Sequence, residues 1–349
     1  AKSDHQTNVV RSPPSGLRGV ASELRRVASG LRGVGVRGPR LQVIAAAVLF
    51  STGGAAIKDV AFSGMQVASI RSGIAAAVLL LCMRGRISRS WPTLSIGAVY
   101  AATLILFVTS TKLTSSANAI FLQSTAPLYI AALAPLLLAE PFRRSDRWFL
   151  AAVGAGLVLC FTGRPESTVT APDPATGNLL AVVCGLTWAL TLIGLRWGAR
   201  HGALHGAPQG VQIGMSAVVM GNAMAFAVGL PFLASLPSPS AVEWATLAYL
   251  GVFQIAIAYI LLTSAATHLR ALDVSLLLLI EPVLNPIWTW LVRGEDPGVR
   301  TLVGGAIIVS ATAARAIYDA RSSAITTKDT KGTKGTQGTT TRQPRDATR

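Results

Sequence analysis

Between Leu41 and Tyr318 the chain is a succession of long apolar runs separated by short polar connections. The hydrocarbon core of a bilayer is about 30 Å thick and takes roughly 20 apolar residues of helix to cross. Ten runs fit that requirement: Leu41 to Val60, Met65 to Met83, Thr93 to Thr111, Ser115 to Ala139, Arg147 to Thr162, Gly177 to Trp197, Gly210 to Leu233, Ala241 to His268, Ala271 to Val292 and Val299 to Tyr318. Three stretches, Leu113 to Ala139, Gly206 to Val242 and Trp244 to Thr267, contain no charged residue at all. The pattern predicts an all-α integral membrane protein with ten transmembrane helices.

The polar positions repeat. Pro127 and Glu140 are separated by 13 residues, as are Pro282 and Glu295, and each pair begins in a long apolar run and ends just beyond it. Phe50 and Lys58 are eight apart in the first run; Trp188 and Arg196 are eight apart in the sixth. The repeat unit is therefore five helices, and an odd number sends the second copy into the membrane from the opposite side. Two inverted five-helix repeats around a shared midplane are a transporter architecture. The expected organisation is a basic, disordered N-terminal arm over 1–40, a first repeat over 41–163, a linker over 164–176, a second repeat over 177–319 and a disordered tail over 320–349.

Composition sharpens this picture. Hydrophobic side chains make up 51% of the 349 residues and charged ones 13%, against about 25% charged in a soluble domain; the mean hydropathy is +0.51. The net charge of +16 sits largely in the tails and connections, not interleaved with aromatic residues as nucleic-acid binding would require. Connections rich in Lys and Arg stay cytoplasmic. With the N-terminus inside, the inner loops hold Arg84, Arg86, Arg89, Arg143, Arg144, Arg147, Arg196, Arg200 and Arg270, and the outer loops only Lys112, Arg164, Arg293 and Arg300. Both termini are expected in the cytoplasm, and the cell membrane of a bacterium is the simplest home. An Arg- and Ser-rich leader can also be an organellar transit sequence.

Several stretches resemble the drug/metabolite transporter superfamily, specifically its EamA-type members, over about Leu41 to Tyr318. The likeness is carried by "TSSANAIFLQSTAPLYIAALAPLLLAEPF" and its echo "VSLLLLIEPVLNPIWTWLVRGED", by "SIRSGIAAAVLLL" with Arg71, by "GNLLAVVCGLTWAL" with Trp188 and by "ATLAYLGVFQIAIAYILLTSAATH". The resemblance implies ten helices and movement of amino acids, metabolites or drugs, often outward. Phe50 stands where many relatives have Trp, and both tails are unusually long.

Candidate chemistry lies at mid-depth. Placing the bilayer centre at the middle of each run puts Ser51, Tyr100, Gln123, Thr187, Trp188, Asn222, Gln254 and Glu281 near one level, a polar belt suited to a solute. Polar groups in hydrocarbon are costly unless paired or facing a wet cavity. Glu281, the one acidic residue deep in any run, can bind an ammonium group or carry a coupling proton; its alternative is a structural contact, for instance with Arg71. Arg71 and Lys58 can hold a carboxylate or phosphate, or snorkel to the interface. Tyr100 and Trp188 suit stacking, and Gln123 and Gln254 adjustable hydrogen bonds, with ordinary packing as the alternative for each. Pro127, Pro282 and Pro286 are expected to kink helices beside the site, or simply to bend them for packing. Gly53 and Gly54 allow close helix approach.

Other classes fit less well. No G-x-x-x-x-G-K-[ST] loop is present to hold ATP phosphates, and the four histidines lie in tails or at the ends of runs, which argues against a membrane enzyme. The belt is too shallow for a channel lining. Cys82, Cys160 and Cys184 read as small buried hydrophobes with no metal set, and no cofactor is expected. The reading is thus a secondary transporter exporting small organic solutes by alternating access, with a nucleotide-sugar or organophosphate exchanger of related fold as the alternative. Its partners are the solute and the lipid bilayer, and a homodimer is left open. Leu17, Leu24 and Leu31 recur in phase beside Arg18, Arg25 and Arg32, a basic amphipathic pattern for anionic lipid. Glycines at 19, 30, 33 and 35 weaken it by roughly 1 kcal/mol each.

Overall fold

The computed structural model describes residues 38–140, 144–161, 171–204 and 207–293, with scattered positions between 299 and 318. The described residues are helical, with no strand among them. Eight helices are long and apolar enough to cross a membrane. We number the helices α1 (Pro39–Asp59), α2 (Gly64–Cys82), α3 (Trp91–Leu113) and α4 (Ser116–Leu138), α5 (Arg144–Phe161), α6 (Pro174–Leu204), α7 (Ala207–Gly229), α8 (Ala241–Ala266) and α9 (Ala271–Val292). The fifth expected run is the helix α5, which is not among the eight long apolar ones. The tenth, Val299 to Tyr318, lies largely outside the described residues, as do positions 1–37 of the expected arm over 1–40, most of the linker over 164–176 and the tail over 320–349.

Short polar sequences start these helices. Ser63 accepts from the Gln66 backbone while the Gln66 side chain accepts from the Ser63 backbone, and Ser240 and Glu243 do the same for α8, so two donors are satisfied at each start. Helix α6 begins at Pro174, earlier than the apolar run beginning at Gly177, because Asp173 accepts from the Thr176 backbone at 3.1 Å and Pro174 needs no donor at the first turn. Hydrogen bonds from Thr176 hold the Asp173 carboxyl below the usual carboxylate range.

Contacts at the ends fix the direction of each helix. At one end Lys58 Nζ donates to Thr114 O at 2.7 Å, Gln66 Nε2 to Phe232 O at 3.0 Å, and Ala61 N to the Glu243 carboxylate at 3.2 Å. Lys112 Nζ donates to Val60 O there as well, and Gly177 lies against the backbone of Thr114. The C-terminal end of α1 therefore sits beside the N-terminal end of α6. At the opposite end Ser88 N donates to Ser216 Oγ at 3.0 Å and Arg196 reaches the last carbonyls of α8.

Helices α3, α6 and α7 pack against one another, with α2 closing over α7. Small residues set how close they come. A Cβ on Gly221 would lie 2.5 Å from Gly97 O and 2.6 Å from Tyr100 Cδ1, and one on Gly53 2.6 Å from the Gln254 side chain. The contact at Gly53 is the close approach expected there, and Gly221 makes one of the same kind where none was expected. The prediction is that Gly221→Leu lowers thermal stability in detergent by about 2 kcal/mol or more through overpacking. An unchanged unfolding midpoint would show that α3 and α7 are not in contact there.

Candidate functional site

Four departures from regular α-helix lie at mid-depth. Helix α1 breaks at Thr52, α4 at Ser124 and Thr125, and α9 at Leu279, while α8 is π-helical from Leu250 to Ile257. In α4 and α9 the break comes just before a proline: Pro127 and Pro282 each lack an N–H, and their rings crowd the carbonyl four residues earlier. Pro286 differs, lying inside the continuous segment Ile280–Arg293. Hydroxyl side chains cover backbone carbonyls at two of these places. Thr52 Oγ1 donates to Leu49 O at 2.8 Å, Ser124 Oγ to Ile120 O at 2.6 Å and Thr125 Oγ1 to Leu122 O at 2.7 Å.

Around these breaks is a narrow central cleft lined by Phe50, Arg71, Thr103, Leu104, Phe107, Gln123, Trp188, Gln254, Ile255, Tyr259 and Glu281. Its free space is about 30 Å³, whereas pockets for organic ligands run to several hundred. In this conformation the cleft has room for little more than water.

Arg71 is 1% exposed, a fully buried cation. Its Nη1 donates to Gln254 Oε1 at 3.1 Å and its Nη2 to Leu104 O at 3.4 Å, and the guanidinium lies 5.9 Å from the Phe107 ring centre. Nε has no hydrogen-bond partner. The π-helical turn is what presents Gln254 to Arg71, and Gly251 lets α8 come within reach, since a Cβ there would meet the Arg71 carbonyl at 2.9 Å. Glu281 is buried in the same cleft and, among the described residues, makes no ion pair with Arg71. The structural contact between these two considered from the sequence is absent.

An aromatic cluster walls one side. Tyr259 is its hub, 5.2 Å from Phe50, 4.7 Å from Tyr100 and 6.2 Å from Trp188 between ring centres, and Phe50 meets Trp188 edge-on at 6.2 Å. Of the nine residues expected at the site, Arg71, Gln123, Trp188, Gln254 and Glu281 line the cleft. Four do not. Tyr100 lies one layer behind, against Tyr259, and receives a hydrogen bond from Asn222 Nδ2 at 3.3 Å. Thr187 Oγ1 turns back to Cys184 O at 3.0 Å, and Ser51 Oγ accepts from Trp288 Nε1 at 2.8 Å. Sequence reading missed Tyr259 and Thr103; the signal available for Tyr259 was a tyrosine on the run that carries Gln254.

At the end of the bundle where α4, α6, α8 and α9 meet, the duplication anchors Glu140 and Arg196 find each other across the two halves. Arg196 Nε meets Glu140 Oε1 at 3.0 Å while its Nη1 donates to Ala266 O at 2.9 Å and Thr267 O at 3.0 Å. Glu140 Oε2 accepts from Ala271 N at 3.4 Å, and Arg200 stands 3.8 Å from Oε1. Ala139, in the left-handed region at φ 50°, turns the chain so that Glu140 points back under α6. Beside this clamp Arg270 pairs with Asp273 at 2.8 Å and Asp146 at 3.6 Å. Partial burial opposes its charge, but the two carboxylates prevail and hold its pKa above the ordinary arginine value.

Comparison with known proteins agrees with this geometry. The profile of the EamA-like transporter family matches residues 40–162 and 175–314, one segment in each half. No curated relative matches the sequence. A solved structure described only as the crystal structure of a protein is 20% identical, with a TM-score of 0.64 over 81% of this chain and 98% of its own; at that identity the likeness concerns the fold alone.

Because Arg196 and Glu140 are both largely buried, their removal should not be additive. A double-mutant cycle with Arg196→Gln and Glu140→Gln is expected to give a coupling of about 1–3 kcal/mol in thermal stability. Strict additivity would mean the two side chains do not meet.

Proposed function

This chain belongs to the EamA-like transporter family, and on that premise we propose that it is a secondary transporter that exports small organic solutes by alternating access through the central cleft. It is an integral membrane protein, and the ten-helix count, the inverted relation of the halves and a bacterial cell membrane with both termini inside are part of the proposal. Inversion is supported by the antiparallel setting of α1 and α6, matched positions in the two repeats, and by breaks before both Pro127 and Pro282.

One observation carries the reading: a buried cation with an unpartnered Nε and a buried acid without an ion pair share a cleft at mid-membrane, beside an aromatic wall. Burial of unpaired charge is expensive, and in membrane proteins such groups mark solute and ion paths. Arg71 suits a carboxylate, Glu281 an ammonium group or a coupling proton, Gln123 and Gln254 the polar rim, and Phe50, Trp188 and Tyr259 an apolar body. Together these favour amino-acid-like solutes. A phosphate would need more positive charge than Arg71, the one cation lining the cleft among the described residues, and Glu281 would repel it.

Proteoliposomes test this directly. Counterflow of a labelled amino acid pool is expected to exceed that of sugar phosphates; the reverse result makes the exchanger reading correct. In Glu281→Gln, uptake driven by a pH gradient should fall at least tenfold while counterflow persists. Unchanged gradient-driven uptake removes Glu281 from the coupling role. For topology, cysteines placed at Arg86 and Ser238 should label from opposite faces of the membrane, and labelling from one face sinks the arrangement.

A further inference from the structure

A second, larger and widely open cavity of about 660 Å³ lies between α1, α8 and α9, lined at one end by Asp59 and Ala241, with Val242 and Val292 exposed at its mouth. Ala55, Ala56, Ala241, Val242, Ala245 and Val292 make its walls apolar, and Thr52, Tyr249 and Trp288 form part of its lining. Those three also connect it to the central cleft. Thr52 Oγ1 and Tyr249 Oη share a hydrogen bond of 2.8 Å across α1 and α8, and Trp288 Nε1 donates to Ser51 Oγ at 2.8 Å across α9 and α1. Phe50, next along α1, already lines the central cleft, and Tyr249 immediately precedes the π-helical turn that carries Gln254.

The two spaces are thus neighbours separated by one layer of side chains. Opposite ends of the protein are closed in different ways. At the Glu140 end, Arg196 engages the Glu140 carboxylate and two carbonyls. At the Asp59 end, these two bonds stand between an open chamber and the cleft. A neutral hydrogen bond contributes about 1 kcal/mol net, roughly half of one to a charged group, so the layer between chamber and cleft is held weakly, while charge-assisted bonds from Lys58 and Lys112 and to Glu243 also tie this end of the bundle. The break of α1 at Thr52 gives that layer a hinge in its own backbone.

Resting on the central cleft being the solute site, we propose that the 660 Å³ cavity is an entry and exit chamber for solutes with an aromatic or branched aliphatic body, and that the Thr52–Tyr249 and Ser51–Trp288 bonds are the gate between chamber and cleft. The chamber volume falls in the range of small-molecule pockets. Its alanine walls and two aromatic side chains suit an apolar body, with Asp59 as the charged residue of its lining, while the buried partners for the polar head of the same solute, Arg71 and Glu281, lie beyond the gate.

Thiol accessibility in lipid nanodiscs tests both parts without any transport measurement. Cys82, Cys160 and Cys184 are replaced by Ser, and single cysteines are introduced at Ala245 in the chamber or Thr103 in the cleft. A membrane-impermeant trimethylammonium thiosulfonate is expected to modify Ala245→Cys readily, with benzyl alcohol slowing the reaction severalfold and glycerol leaving it unchanged. Reaction with N-ethylmaleimide but not with the charged reagent identifies a lipid-filled crevice and overturns the chamber. Thr103→Cys should react slowly, and at least tenfold faster when Tyr249→Phe and Ser51→Ala remove the two bonds while keeping the rings. No acceleration overturns the gate. Direct benzyl alcohol titration of the unaltered chain, followed by tryptophan fluorescence, checks the chamber independently of the cysteine replacements; no saturable change there also counts against it. Since none of these readouts requires a transported solute, failure of the gate is distinguishable from failure of the transport reading.

Discussion

Lipid offers no hydrogen bonds to a peptide group, so every N–H and C=O within the hydrocarbon has to be satisfied by the protein itself. This constraint makes the interior helical, and it makes each interruption of a helix costly enough to need cover. The interruptions in α1, α4 and α9 and the π-helical turn in α8 do not scatter along the chain; they surround the central cleft. Thr52, Ser124 and Thr125 hand their hydroxyls to nearby carbonyls. Local irregularity is confined to where the protein needs side chains in unusual directions, and the same serine and threonine residues that look like minor polar decoration are what permit it.

Arg71 and Arg196 show how context divides the work of one side-chain type. Arg196 meets a carboxylate and two helix-terminal carbonyls, a geometry that matches the guanidinium fork and draws four helices together. Arg71 has neutral acceptors, a nearby ring and an Nε without a partner. The first arrangement is complete; the second has capacity left over. Incomplete satisfaction of a buried group is expensive, so where it persists it marks the place at which another molecule can complete the set.

Much of the fold was legible because membrane helices announce themselves by length and apolarity, and because the two halves carry matched landmarks. Pro127 and Pro282 could be paired by spacing alone, and the breaks that precede them follow from proline chemistry. Cleft residues were legible to the extent that position along a helix predicts which side chains meet: Arg71, Gln123, Trp188, Gln254 and Glu281 line the cleft, but such a position does not say which way a side chain faces. Ser51, Thr187, Tyr100 and Asn222 hydrogen-bond instead to helix backbone or to neighbours, with Asn222 Oδ1 left without a partner. Tyr259 was missed because its importance arises from meeting Phe50, Tyr100 and Trp188, three residues from three other helices. The Glu140–Arg196 pair could not be derived from spacing either, since its members come from different repeats and meet only after packing.

The tightness of the central cleft has a thermodynamic consequence. If the central cleft is the solute site, as proposed, a solute that enters a space of about 30 Å³ has to spend part of its interaction energy spreading the aromatic wall, so its apparent association constant is the intrinsic one multiplied by the fraction of molecules already spread. Each 1.4 kcal/mol of preference for the shut form weakens the measured dissociation constant about tenfold. Under alternating access through that cleft, equilibrium affinity would therefore be a poor ranking of cargo: compounds whose binding energy matches the work of opening would be carried best, and a ligand that binds most tightly would be the one most able to arrest the cycle.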